Sequence, residues 1–281
     1  MSLGKDAASR RRNLRSHDPA RRARACARHH LTPALAAPWP VRERCPTLAF
    51  YPGGFGPPHA GHWRVAKTLL DRATVVVIVV SDPVPHHAAA AARRRYARHG
   101  VLPSESLQLW RAYLNTLPTE ERGRAVVVTS ARVERPVLLA CAQLPSRWAV
   151  VVAVGEDHVR EPRKAQWLWS LEDAMRRVRR RSLHSPAQHC GVAVFRRPCS
   201  WRNRAGSDEG RERGKERDPD DKSGIDECSQ SLSATSLARC VREARESTGL
   251  APCALLLPEV LPLATRVRVL RDLRARGAFS H

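Results

Sequence analysis

The sequence predicts an α/β fold, a doubly wound parallel sheet with helices on both faces. Three observations predict it. Short apolar, β-branched runs alternate with amphipathic stretches between residues 47 and 195. Two of those runs, Thr74–Val80 and Trp148–Val154, are almost uninterruptedly apolar, as strands covered on both faces must be. A turn rich in glycine and proline follows the first run directly, where such folds make their first strand-to-helix connection.

Taken in order, Thr47–Tyr51 reads as a buried strand and Pro52–Pro58 as the loop after it. A helix opens at His59–Gly61 and carries Trp63, Val65, Ala66, Leu69 and Leu70 towards Arg72. Thr74–Val80 is the second strand. Ser104–Leu117 is a helix, with Ser104 as its cap and Leu107, Trp110, Tyr113 and Leu114 on one face. Ala125–Thr129 is strand-like, Pro136–Leu144 is helical, and Trp148–Val154 is another buried strand. Residues 163–181 form a helix whose second half is strongly basic, and Gly191–Phe195 closes the series as a strand. Beyond it come a helix over Ser233–Arg245, a short apolar segment at Leu255–Leu257 and a last helix over Pro258–Arg276. No internal repeat interrupts this order.

With 281 residues, of which 42% are hydrophobic and only 5% aromatic, the chain can bury a full core built mostly of Val, Leu and Ala. No apolar run approaches the ~18 residues of a membrane-spanning helix. The formal charge is +22, with +8 in residues 1–44 and −2 in residues 202–230, so the intervening chain is itself basic and suited to polyanions. Residues 1–44, rich in Arg, Ala and Pro, are expected to form a disordered tail. Residues 45–281 form one domain, interrupted at about 202–230 by a charged disordered insertion. Eight cysteines without a CxxC pair argue against a zinc ribbon or a secreted disulfide scaffold and for thiols in a reducing compartment. The expected location is cytoplasmic, with a nuclear or organellar address left open by the Arg-rich N-terminus.

The chemistry concentrates in Gly53-Gly54-Phe55-Gly56-Pro57-Pro58-His59-Ala60-Gly61-His62. Glycines let a backbone approach phosphates closely, and a helix N-terminus offers unpaired N–H groups and a positive dipole. Two histidines three residues apart on the first helical turn can donate hydrogen bonds to phosphate oxygens. The plainer reading is a Gly/Pro-rich turn with incidental histidines, since the chain has 12 of them. The combination of loop, strand end and helix start favours a nucleotide.

His59-Ala60-Gly61-His62 resembles the HxGH motif of the nucleotidyltransferase superfamily related to class I aminoacyl-tRNA synthetases. Leu232-Ser-Ala-Thr-Ser-Leu237 resembles the start of that family's second signature, ISSTxxR, with Ala238 in the arginine slot and Arg239 one place later. Gly155-Glu156-Asp157, with Trp167 beyond it, is similar to the GxD…W segment of the mononucleotide adenylyltransferases. Phe195-Arg196-Arg197-Pro198 is similar to their RPG segment, with Cys199 in place of glycine. About 95 residues separate the histidine motif from Gly155 and about 80 more lead to Ser233, a spacing like that of the nicotinamide and nicotinate mononucleotide adenylyltransferases.

The resemblance implies a Rossmann-like nucleotidyltransferase fold that moves a nucleoside monophosphate from ATP or CTP to a phosphate-bearing small-molecule acceptor, releasing pyrophosphate. It implies catalytic roles for His59, His62 and Arg239. Nucleotide binding would fall to Gly53, Gly54, Phe55, Gly56, Gly61, Gly155, Asp157, Arg197, Ser233 and Thr235. Magnesium would travel with the triphosphate and need few dedicated protein ligands. Two alternatives stand beside adenylyl transfer: cytidylyl transfer to a phosphorylated alcohol or sugar, and a catalytically weakened version of the fold that binds nucleic acid through its basic tail. The run Arg176–Arg181 reads chiefly as a solvated helix end and secondarily as a nucleic-acid surface, and His86-His87 as loop residues.

Overall fold

The computed structural model describes residues 39–40, 45–82, 89, 93–95, 97–145, 147–181, 190–195, 233–244 and 249–280. Of the expected tail only Trp39 and Pro40 are among them. The expected insertion at 202–230, His86, His87 and Arg197 lie outside.

Strands β1 (Thr47–Gly53), β2 (Val75–Ser81), β3 (Ala125–Ser130), β4 (Ala149–Gly155) and β5 (Cys190–Phe195) form one sheet. All its pairings are parallel and the order is β3-β2-β1-β4-β5. Phe50, at the centre, pairs with Val77 on one side and Val152 on the other. From β1 the chain moves outward through β2 and β3, then returns to the other side of β1 and moves outward again. This is the doubly wound, Rossmann-like arrangement, and its reversal point lies between the ends of β1 and β4.

The helices are α1 (Ala60–Leu70), α2 (Pro103–Leu114), α3 (Thr119–Arg122), α4 (Glu134–Gln143), α5 (Asp157–Arg160), α6 (Pro162–Arg181), α7 (Ala234–Glu243), α8 (Ala251–Ala254) and α9 (Leu263–Ala275). Alternation along β1 sends Ala49 and Tyr51 to one face and Phe50 to the other. The first face is covered by Trp63, Leu69 and Leu70 of α1, Trp110 and Tyr113 of α2, Leu237 and Val241 of α7, and Leu270 and Leu273 of α9. The second carries Val137 and Cys141 of α4 with Leu168, Leu171 and Met175 of α6. Strand β1 and the valine-rich β2 and β4 are thus sandwiched, which is why they read as apolar runs. Trp39 also packs on the first face, and Pro40 sits over Gly191, where a Cβ would meet it at 2.7 Å.

Several helix starts differ from the sequence expectation; α4, for example, opens at Glu134 rather than at Pro136. Helix α2 begins at Pro103 with Leu102 as its extended N-cap, so Ser104 is not the cap. Proline suits the first helical position because its missing N–H needs no partner there, and the Glu105 carboxylate accepts the Leu102 N–H at 2.9 Å instead. Helix α9 begins at Leu263 after Pro262, with Pro258–Leu261 forming turns before it.

Candidate functional site

The site grows from the end of β1. Gly53 has no room for a side chain, since a Cβ there would lie 2.8 Å from the Phe55 ring. Phe55 itself adopts φ +35°, a left-handed conformation that costs a non-glycine residue energy and survives only where the surroundings fix it. They do fix it. Its ring stands edge-on to Tyr51 and Trp110, each 5.2 Å away between centroids, and to His62 at 5.0 Å. Helix α2 clamps the backbone from the same side. The Ser106 hydroxyl donates to the Phe55 carbonyl and the Tyr113 hydroxyl donates to the Pro58 carbonyl at 3.1 Å. Burial pushes the Tyr113 phenol far above its usual range, against the opposing pull of the Arg266 guanidinium, so it remains a donor.

His59 is the N-cap of α1, extended at φ −119° and ψ 176°, and only 4% exposed. Its Nδ1 accepts the Gly61 N–H at 3.1 Å, and the Nδ1 of His62 accepts the His59 N–H at 3.3 Å. This is a capping box made from two imidazoles rather than from Ser and Glu. The rings lie 3.8 Å apart. The remaining first-turn amide of Ala60 donates to the Leu256 carbonyl at 3.0 Å, so a segment from the far end of the sequence braces this helix start.

On the other flank of the reversal point, β4 ends at Gly155. A Cβ there would meet Asp157 Oδ1 at 2.6 Å, so glycine lets the carboxylate fold back over the strand end. Asp157 Oδ2 accepts from Lys164 Nζ at 2.8 Å, and Lys164 also donates to Glu161 at 2.8 Å. Burial pulls the Lys164 ammonium down, but the hydrogen bonds and charges of Asp157 and Glu161 outweigh it and hold the group above its usual range. The indole N–H of Trp167 donates to Glu134 at the start of α4.

Between these flanks lies a cleft of about 310 Å³, lined by Pro52, Gly53 and Gly54 from β1 and its loop, Ser81 at the end of β2, Val133, and His158, Arg163, Lys164 and Trp167. Gly53 and Gly54 are therefore shared between this cleft and the aromatic loop. His59 and His62 do not line it; they stand with Tyr51 and Phe55 on the α1 side. Gly56 lies in the buried loop and Gly61 supplies the amide that His59 caps.

Helix α7 opens on Ser233, whose Oγ accepts the Ser236 N–H at 3.0 Å. Thr235 is exposed, with its Oγ1 3.4 Å from His99 Nε2. Ala238, in the slot where the signature has arginine, is fully buried in the core, whereas Arg239 shares the exposed face with Thr235. Four residues advance a helix by roughly 400°, so Thr235 and Arg239 lie about one turn apart on one side. The displaced arginine thus follows the phase of the helix.

The basic run on α6 separates into different jobs. Arg176 pairs with Glu172 and Arg177 with Asp173 along the helix. Arg179 is only 2% exposed and donates to the carbonyls of Cys141, Leu144, Pro145 and Trp148. Ser81, Val133, His158, Arg163 and Lys164 were not singled out by the sequence. They come from three separate crossovers, and only the strand order brings them to one place.

No family model and no curated protein matches the chain. Among the matching solved structures is one described as "Putative Nicotinate-nucleotide Adenylyltransferase from Vibrio parahaemolyticus". It is 12% identical, with a TM-score of 0.27, over 53% of this chain and 74% of that one. At that score the likeness decides nothing about activity, and the fold is defined by the strand order itself.

Proposed function

We propose that the chain is a nucleotidyltransferase that moves a nucleoside monophosphate from ATP, or from CTP, to a phosphate-bearing acceptor, with mononucleotide adenylyl transfer as the leading form. The observation that carries the reading is the stacked His59–His62 pair at the start of α1, directly after a rigid glycine loop at the sheet's reversal point. Parallel α/β sheets bind ligands at that point, outside the carboxyl ends of the strands.

In the proposed reaction an acceptor phosphate oxygen attacks the α-phosphorus. A bond forms between them, the bond from the α-phosphorus to the bridging oxygen breaks, and pyrophosphate leaves. Such a displacement needs positioning and charge stabilisation rather than a covalent protein intermediate. His59 and His62 would donate to the triphosphate and to the departing pyrophosphate. Gly53, Gly54 and Gly56 would allow close backbone approach, while Ser233, Thr235 and Arg239 would hold the distal phosphates. Gly155 and Asp157 would border the nucleotide. The donor set on the α1 side, two imidazoles whose Nδ1 atoms already accept backbone amides, suits phosphate oxygens better than a bare cation. Magnesium would therefore enter bound to the triphosphate, where it neutralises charge on the phosphate oxygens.

The test is pyrophosphate release from ATP and from CTP with magnesium, using nicotinamide mononucleotide, nicotinate mononucleotide and a panel of phosphorylated alcohols as acceptors. A protein carrying His59→Ala and His62→Ala is the control. Acceptor-dependent release that the control lacks supports the reading and names the acceptor. Absence of release with every pair, from folded protein, overturns it.

A further inference from the structure

At the other end of the strands from the cleft, on the β5 edge of the sheet, two thiols meet. Cys190 opens β5, and Cys141 lies in the last turn of α4, fully buried against the second face. Their sulfurs are 3.8 Å apart and share a hydrogen bond. A disulfide requires about 2.05 Å, so the sulfurs need only close by roughly 1.8 Å. Both are free cysteines, and Cys190 is half-buried, the more accessible of the two.

We propose that Cys141 and Cys190 form a redox couple, with Cys190 as the attacking thiol and Cys141 as the resolving one, which small-molecule disulfides convert to an internal disulfide. The division of roles follows from the surroundings. The hydrogen bond from Cys141, together with the guanidinium groups of Arg179 and Arg176, holds the Cys190 thiol below its usual range despite burial. The same hydrogen bond and deep burial push Cys141 upward, so it stays a thiol until its partner has reacted. Arg179 is fixed by four carbonyls, one of them that of Cys141 itself, so its charge is built into this corner.

The exchange balances as follows. The Cys190 thiolate attacks one sulfur of oxidised glutathione, forming a mixed disulfide and releasing one glutathione thiolate. Cys141 then loses its proton to solvent as its sulfur attacks Cys190 Sγ, and the second glutathione leaves. Two protein thiols are oxidised and one small disulfide is reduced. The product bond ties the end of α4 to the start of β5.

The test treats the native full-length protein with oxidised glutathione near neutral pH, quenches it by alkylation and maps the peptides by mass spectrometry. The expected product is a Cys141–Cys190 linkage, reversed by dithiothreitol. In Cys141→Ser protein the reaction stops at glutathione bound to Cys190, whereas Cys190→Ser leaves Cys141 unmodified. Persistent glutathione on Cys190 in the unsubstituted protein, with Cys141 free, overturns the proposal. So does a native, folded protein in which Cys190 does not react at all. Because the readout is peptide linkage, it stands even if one of the serine variants fails to fold.

Discussion

His62 accepts the backbone N–H of His59 through its Nδ1, while His59 accepts the N–H of Gly61 through its own Nδ1. Both imidazoles are therefore used as acceptors on the same ring nitrogen. A neutral imidazole that accepts at Nδ1 carries its proton at Nε2. The capping arrangement fixes the tautomer of both rings and makes each Nε2 a donor. Helix capping and phosphate recognition are, in this proposed site, two uses of the same pair.

Replacing His62 by Ala separates those uses. Loss of one preorganised donor is expected to lower kcat by about 100- to 1,000-fold. Loss of the reciprocal cap should cost only about 1 kcal/mol of stability. Pyrophosphate release and thermal melting on the same preparation would check both; a drop in activity matched by gross unfolding would count against the catalytic role.

Two glycines should respond differently to a methyl group. In Gly53→Ala the new Cβ meets the Phe55 ring, which is wedged among Tyr51, Trp110 and His62, so a loss of about 1–3 kcal/mol is expected. In Gly155→Ala it meets the tip of Asp157, which can swing away. The second variant should lose less stability than the first, only the share of the Lys164 contribution that Asp157 supplies, and the Lys164 ammonium should move back towards ordinary lysine behaviour by NMR.

Tyr113→Phe removes the hydroxyl that holds the Pro58 carbonyl and leaves that acceptor buried. The expected cost is about 1–3 kcal/mol by denaturant titration. A raised KM for the triphosphate would follow if the loop loosens, whereas unchanged kinetics would show that Ser106 alone suffices to hold it.

Arg179→Met roughly keeps the volume of the side chain but takes the guanidinium donor from the carbonyls of Cys141, Leu144 and Trp148, while Pro145 keeps the Trp148 N–H. Destabilisation of about 2–4 kcal/mol is expected from such a loss. Neutralising a solvated surface arginine would change stability by less than about 0.5 kcal/mol, so the measurement discriminates between the two descriptions of this residue.

The Lys164 contact also has a defined pH window. Its folded value lies above the unfolded one, so the stability it contributes is fully present below the unfolded lysine value of about 10.4 and disappears as pH rises through the folded value. The difference in melting temperature between the unsubstituted protein and Lys164→Met should therefore stay flat from roughly pH 6 to 9 and shrink only above about pH 10. A difference that vanished near neutrality would point to a different role for this side chain.

The alternation of valine runs with helical stretches was legible because both faces of the sheet are covered, so β1, β2 and β4 carry no polar alternation to blur them. The glycine loop and His59–His62 were legible for the same local reason, since a turn and a helix cap are written in consecutive residues. The cleft was not. Lys164 is seven residues from the carboxylate it meets, beyond a break between two helices, and Ser81 and Val133 reach it through other crossovers. Ser104 was expected to cap its helix, but Pro103 and Glu105 start it one residue earlier. Ala238 made sense only once the buried side of α7 was known.

The bond from the Ala60 amide to the Leu256 carbonyl sets an order of assembly. The histidine pair is encoded early, yet one of the backbone partners that closes its helix start comes nearly 200 residues later. A nascent chain can form β1, α1 and β2 from local contacts, but it cannot finish this corner until Leu256 has been synthesised. Chains stopped before that residue would carry every proposed histidine and glycine ligand and still lack the finished helix start.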